Sequence, residues 1–154
     1  MNKTIGIFGG GQLGRMMAQA ALPLNIQCTF FEVDTDCPAA ILGTVFSTKS
    51  EQGLQDFIAS ADVFSLEFEN TPVNYVDVLT QSKTLHPPRL ALVTAQNRLA
   101  EKALFDELNI PVAPYRAVDS VDSLKQAVVD LGLPIVLKNC HWRLRWQRSI
   151  RVTN

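Results

Sequence analysis

Residues 4 to 8, Thr-Ile-Gly-Ile-Phe, form a short apolar run that stops at Gly9-Gly10-Gly11, and Leu13, Met16, Met17 and Ala20 follow at helical spacing. A buried parallel strand that meets a tight turn and continues as a helix has this pattern. Gly9-Gly10-Gly11-Gln12-Leu13-Gly14 is also G-x-G-x-x-G in its required strand-turn-helix setting. There the glycines let backbone N–H groups approach an anion at a helix N-terminus. Three readings fit this turn. It can hold a dinucleotide, with Glu32 or Asp34 at the end of the second strand on a ribose. It can hold another anion, or it can be a tight turn of purely structural use.

The alternation begun there continues. Strands are expected at residues 26–33, 44–47 and 62–66, and helices at 12–22, 53–59, 73–81 and 97–108. Strands of this length separated by helices predict an α/β fold with a parallel sheet and right-handed crossovers, whose ligands bind at the carboxyl ends of the strands. From Ile110 the pattern restarts. Pro111 and Pro114 break the preceding helix, residues 113–118 are extended, and 120–131 form a helix with Ser120 as N-cap. Val121, Leu124, Ala127, Val128 and Leu131 share one face of that helix, and a strand begins at Pro134. One strand, one helix and a second strand are too little to bury a hydrophobic face of their own.

Composition narrows the function. With 154 residues, 47% of them hydrophobic and 19% charged, the chain is of ordinary globular type, and its formal charge of −1 offers no field for nucleic acid or an anionic membrane. Cys28, Cys37 and Cys140 form no C-x-x-C pair, which suggests neither a disulfide framework nor a zinc site and fits a reducing cytoplasm. The N-terminal apolar run is too short for a signal peptide, and no 18-residue apolar run occurs.

Leu66-Glu67-Phe68-Glu69-Asn70 places two carboxylates at the end of a strand, and alternation along an extended backbone would aim both the same way. The plainer alternative is a solvated strand end, with Glu69 or Asn70 capping the next helix. His86, before Pro87-Pro88, has no visible ligand partner. Arg98 reads as a helix-surface cation. Lys138, ending the apolar run 134–137, is either a snorkelling strand end or a point charge for phosphate.

Taken together, IGIFGGGQLGRMMAQAA, DTDCPAA, LEFEN, AQNRLAEKALFDELNIPVAPY and LGLPIVLK resemble the 5-(carboxyamino)imidazole ribonucleotide synthases, the biotin-independent ATP-grasp family of purine biosynthesis. The resemblance runs from Met1 to Lys138. It implies a Rossmann-like preATP-grasp domain over residues 1–108 and the beginning of an ATP-grasp domain, incomplete, over 109–138. It also implies that the glycine turn helps hold aminoimidazole ribonucleotide instead of NAD. The family uses ATP and magnesium to activate bicarbonate as carboxyphosphate, and the amine of the ribonucleotide then takes up the carboxyl group. By position, Arg98 and Lys138 match residues that contact ATP, while Gly11, Gln12, Leu13, Glu67 and Glu69 line the substrate edge. No position here matches the family's magnesium ligands, and the family's homodimer is the implied assembly. An NAD(P)-binding Rossmann protein and a noncatalytic partner-binding remnant are the alternatives.

After Lys138 the chain departs from the family, which continues with a loop close to GGYDGKGQ. Instead, both tryptophans and four of the eight arginines fall between Trp142 and Arg151. Residues 138–154 can be written in permitted codons such that deleting one A at Lys138–Asn139 gives KTATGGYDGKGQYVLR. Codon choice is free at arginine, leucine and serine, but tryptophan has a single codon, and the shift forces glycine at both tryptophans. Residues 139–154 are therefore expected to be an out-of-frame tail on a catalytically inactive chain, with Trp142, Leu144 and Trp146 open to solvent. A genuine basic, aromatic tail for RNA or a partner is the rival reading.

Overall fold

Five residues of alternating outlook begin the sheet: in β1 (Thr4–Phe8), Ile7 and Phe8 point to opposite faces and both are buried. The structure, a computed structural model, describes residues 3–140 and 149–153. Trp142, Leu144 and Trp146 lie outside the described residues. β2 (Gln27–Glu32) pairs with β1 in parallel, setting Ile7 opposite Phe30 and Phe8 opposite Phe31. β3 (Thr44–Ser47) pairs with β2, and β4 (Val63–Leu66) with the other side of β1. The order is β3-β2-β1-β4, all parallel, with a parallel bridge from Phe64 to Leu85 beyond β4.

The two faces bury different chemistry. On one, Phe8, Phe31 and Phe64 surround Phe57 of α2 (Gly53–Ala59), with ring centroids 5.1 to 5.3 Å from it. Val76 and Leu79 of α3 (Val73–Leu79) and Leu92 of α4 (Arg89–Ala95) complete that core. On the other face, Ile7, Cys28 and Phe30 pack against Ala18 and Ala21 of α1 (Gln12–Ala21). The buried stripe of α1 is thus Gly14, Ala18 and Ala21, while Leu13 and Met16 are 52% and 59% exposed. Small residues win this face because the helix lies so close to the sheet that a Cβ on Gly14 would stand 2.9 Å from the Gly9 carbonyl oxygen. The buried Thr29 hydroxyl is also satisfied. Ser60 donates its single proton to the Phe57 carbonyl at 2.7 Å, so Thr29 donates to Ser60 Oγ at 2.9 Å.

The chain divides into two units, Met1–Val93 and Thr94–Asn154. In the second, α5 (Arg98–Glu107) is capped by Asn97, whose Oδ1 accepts from the amides of Leu99 and Ala100. α6 (Val121–Leu131) begins with a capping box in which Ser120 and Ser123 satisfy each other's backbone amides. β5 (Ile135–Leu137) pairs antiparallel with β6 (Ile150–Val152). No strand forms over 113–118. Ala127 is the one buried residue among those described in this unit, and Val129, Val136 and Ile150 are each more than half exposed.

Candidate functional site

In the order β3-β2-β1-β4 the chain winds outward from β1 to one side and then crosses to the other. The carboxyl ends of β1 and β4 therefore flank the point where direction reverses, and open α/β sheets bind ligands in that crevice. Gly9 follows β1 and Glu67 follows β4. Gly9 turns the chain with φ of 105°, a conformation that penalises a Cβ. Its amide donates to the Phe31 carbonyl at 3.1 Å, and the Glu67 amide donates to the Phe8 carbonyl at 2.9 Å. These bonds hold the turn and Glu67 side by side.

The glycine turn already meets anions, and both are the chain's own. The Gly11 amide donates to Glu67 Oε2 at 2.8 Å, and the Gly10 amide donates to Glu32 Oε2 at 3.1 Å. Glu32 Oε1 accepts in turn from the Val33 amide at 2.6 Å. A Cβ added at Gly9, Gly11 or Gly14 would run into the Glu67 carboxyl group. The glycines make room for that side chain as well as for the backbone. Each oxygen of Glu32, one of the two carboxylates that could hold a ribose in a dinucleotide fold, thus accepts from a backbone amide. Nothing in the spacing signalled this, because the pattern of glycines is the same whether the incoming anion is a phosphate or a glutamate.

The remaining expected substrate residues are placed unequally. Gln12 and Leu13 form the first turn of α1 and are exposed. Its N-cap, Gly11, has no side chain to satisfy those amides. Glu69 is half-buried in the segment after β4. The strand stops at Leu66 and the chain bends from Glu67 onward, so alternation does not carry from Glu67 to Glu69. The capping alternative also fails: the N-cap of α3 is Pro72, with no side-chain cap. His86 is exposed, and its carbonyl accepts from the Ser65 hydroxyl at 2.8 Å.

Beneath the turn lies Cys37, against which a Cβ on Gly10 would collide. Burial pushes its thiol above the ordinary value and the nearby Glu32 charge acts in the same sense, opposed by the backbone amides of Ala39 and Ala40. Such a thiol is a packing group and a poor nucleophile.

In the second unit, Arg98 is the first residue of α5, and its amide donates to the Cys140 carbonyl at 2.8 Å. Lys138 lies two positions before that carbonyl, exposed at the end of β5. One backbone bond thus brings the segments carrying both cations together. Among the described residues no group of three or more His, Cys, Asp or Glu side chains gathers to hold a metal ion, and no helix is long and apolar enough to cross a membrane.

Residues 1–96 match the model of the ribonucleotide synthetase preATP-grasp domain. An N5-carboxyaminoimidazole ribonucleotide synthase of Brucella melitensis is 39% identical over 138 residues, which cover 88% of this chain and 38% of that protein. The chain therefore spans well under half the length of such relatives. The crystal structure of N5-carboxyaminoimidazole ribonucleotide synthetase from Thermus thermophilus superposes with a TM-score of 0.83 at 36% identity, covering 96% of this chain and 41% of that one. An N5-carboxyaminoimidazole synthase from Aspergillus clavatus, solved with ADP and 5-aminoimidazole ribonucleotide, superposes with a TM-score of 0.80 at 25% identity, covering 98% of this chain and 41% of that one.

Proposed function

Because the chain belongs to the ribonucleotide synthetase preATP-grasp domain family, we propose that it carries the substrate edge of an ATP-dependent ligase that carboxylates aminoimidazole ribonucleotide with bicarbonate. The observation that carries this reading is the meeting of Gly11 and Glu67 at the point where strand order reverses. Gly11, Gln12 and Leu13 line the edge from the β1 side, and Glu67 and Glu69 from the β4 side. Arg98 and Lys138 serve ATP. Cations suit phosphate oxygens, and phosphoryl transfer is catalysed mainly by positioning and charge. In the complete reaction the terminal phosphoryl group of ATP passes to bicarbonate, giving carboxyphosphate. The substrate's amine then attacks the carboxyl carbon, phosphate leaves, and the amine loses a proton. Magnesium belongs to this chemistry, but the described residues provide no donor set for it, so no residue of this chain is assigned to the metal. A cytoplasmic location and a homodimer are parts of the same proposal.

The tail bears on activity. Residues 139–154 are read as out-of-frame, on the strength of the break in composition after Lys138 and the glycines that a one-base shift forces at both tryptophan codons. On that reading residues 139–154 do not supply the loop that covers the phosphates.

Titration calorimetry of the 154-residue chain with aminoimidazole ribonucleotide, and separately with NAD, tests the substrate assignment. Heat of binding from the ribonucleotide alone is the expected result. Binding of NAD without the ribonucleotide would sink it in favour of a dinucleotide-binding protein.

A further inference from the structure

α5 begins with backbone amides that no carbonyl inside the helix can satisfy. Asn97 donates to the Thr94 carbonyl at 3.1 Å, and the amides of Leu99 and Ala100 donate to Asn97 Oδ1. The amide left over, on Arg98, donates to the carbonyl of Cys140 at 2.8 Å. Cys140 belongs to the stretch after Lys138 that departs from the family. So does β6, which is the one strand paired with β5 among the described residues. Their register sets Ile135 opposite Val152, Val136 opposite Arg151 and Leu137 opposite Ile150. Opposed residues share a face of the ribbon. Ile135, Leu137, Ile150 and Val152 therefore form an apolar side, on which all but Ile150 are half-buried, while Val136 and Arg151 are exposed on the other. A slip of one residue would carry Arg151 to the apolar side.

We propose that the segment after Lys138 is built into the second unit at two points, with the Cys140 carbonyl closing the start of α5 and residues 150–152 serving as the strand that β5 otherwise lacks. Both attachments are made by main-chain groups, which a residue carries whatever its side chain, proline's missing N–H excepted. Residues read from a shifted frame can therefore form them, and Ile150-Arg151-Val152 also has the alternation that holds the register. Without the segment, one amide of α5 and the paired edge of β5 would turn to water. The unit has little to set against that loss, since Ala127 is its one buried residue among those described. Lys138 lies between the two attachments, so its place in the fold depends on them as well. The inference is independent of the ligase reading and of how the segment arose. It opposes a free basic arm, because a strand held against β5 is not at liberty to wrap a nucleic acid.

Hydrogen exchange followed by NMR on the 154-residue chain tests this. Opposed residues of an antiparallel ladder alternate between pairs that exchange both bonds and pairs that exchange none. The amides of the bonded pairs in β5 and β6, and the Arg98 amide, should exchange at least about tenfold more slowly than in an unstructured peptide of the same sequence. Exchange of the β6 and Arg98 amides at the peptide's rate overturns the proposal, and that arm needs no variant to fold. Two variants then separate main chain from side chain. In a chain ending at Ser149 the β5 amides should lose at least about tenfold in protection while those of α1 keep theirs. Loss that spreads into α6 supports the proposal equally, since the unit would then depend on the strand; β5 protection that survives the truncation overturns it. Arg151→Thr, on the exposed side of the ribbon, should leave the β5 amides within about twofold of wild type. Protection that vanishes with this one side chain overturns the proposal too, because the main chain would not be what holds β6.

Discussion

The Gly11 amide and Glu67 Oε2, 56 residues apart in sequence, are joined at 2.8 Å across the ends of β1 and β4. The glycines around this bond differ in what they would strike if enlarged. At Gly14 a Cβ would meet the Gly9 carbonyl oxygen at 2.9 Å, a backbone atom that can move only if the turn moves. At Gly11 it would meet Glu67 Oε1 at 2.5 Å, the end of a side chain with freedom to rotate. Gly14→Ala should therefore destabilise the first unit by about 1–3 kcal/mol. Gly11→Ala should cost less and swing Glu67 out of the turn instead. Urea unfolding of both variants, with the amide shift at position 11 as a local reporter, distinguishes them; equal losses would show that Glu67 cannot yield.

Phe57 is fully buried and its ring touches those of Phe8, Phe31 and Phe64. Removing it leaves a cavity that the facing strands cannot close, so Phe57→Ala should cost about 3–5 kcal/mol. Phe46, only partly buried at the edge of the same cluster, should cost less on the same replacement. Equilibrium denaturation gives both values, and the reverse ranking would misplace the centre of this core.

Asn97 Oδ1 accepts from Leu99 at 3.0 Å and Ala100 at 3.2 Å, so its loss frees two amides at the start of α5. Asn97→Ala should destabilise that helix end by about 1 kcal/mol. Hydrogen exchange at Leu99 and Ala100 should quicken accordingly, while the amides of α1 in the other unit keep their wild-type rates.

Cys28 and Cys37 are buried, and burial raises both thiols above 9.0. The unfolded chain therefore gives up these protons at a lower pH than the folded one. Their contribution to stability is fully present below about pH 9 and is lost as pH rises through the folded-state values. At pH 8 neither should react with a thiol reagent until the chain unfolds, and labelling followed by mass spectrometry checks this. Modification of either in the native chain would show that the face under α1 opens.

The nucleotide sequence around the Lys138 codon decides the origin of the tail. A run of A there, followed one base out of register by a frame encoding GGYDGKGQ, is the expected finding. Restoring that frame should also restore bicarbonate-dependent ATP turnover. An open frame with no such continuation would make residues 139–154 a genuine segment of this protein.

Much of the fold was readable along the chain. The strand at residues 44–47 and the helix at 53–59 match β3 and α2, because apolar spacing reports local conformation directly. Ser120 was recognisable as an N-cap for the same reason, since capping involves neighbours a few residues apart. α4 escaped notice behind Pro87-Pro88, and the extended segment expected over 113–118 formed no strand, since its apolar residues found no neighbour with which to pair. On α1 the pattern marked the helix but not its buried side. Leu13 and Met16 are the larger apolar residues, yet the sheet took Gly14, Ala18 and Ala21, because close approach favours small side chains.

At the site the division follows the same physics. Sequence alone determined the strand-glycine-helix turn and the family to which it belongs, because these depend on local spacing and residue type. Only the tertiary structure decided what the turn holds. Glu32 and Glu67 reach Gly10 and Gly11 from 22 and 56 residues away, and sheet order, which no short-range pattern encodes, is what sets those carboxylates against the glycine amides.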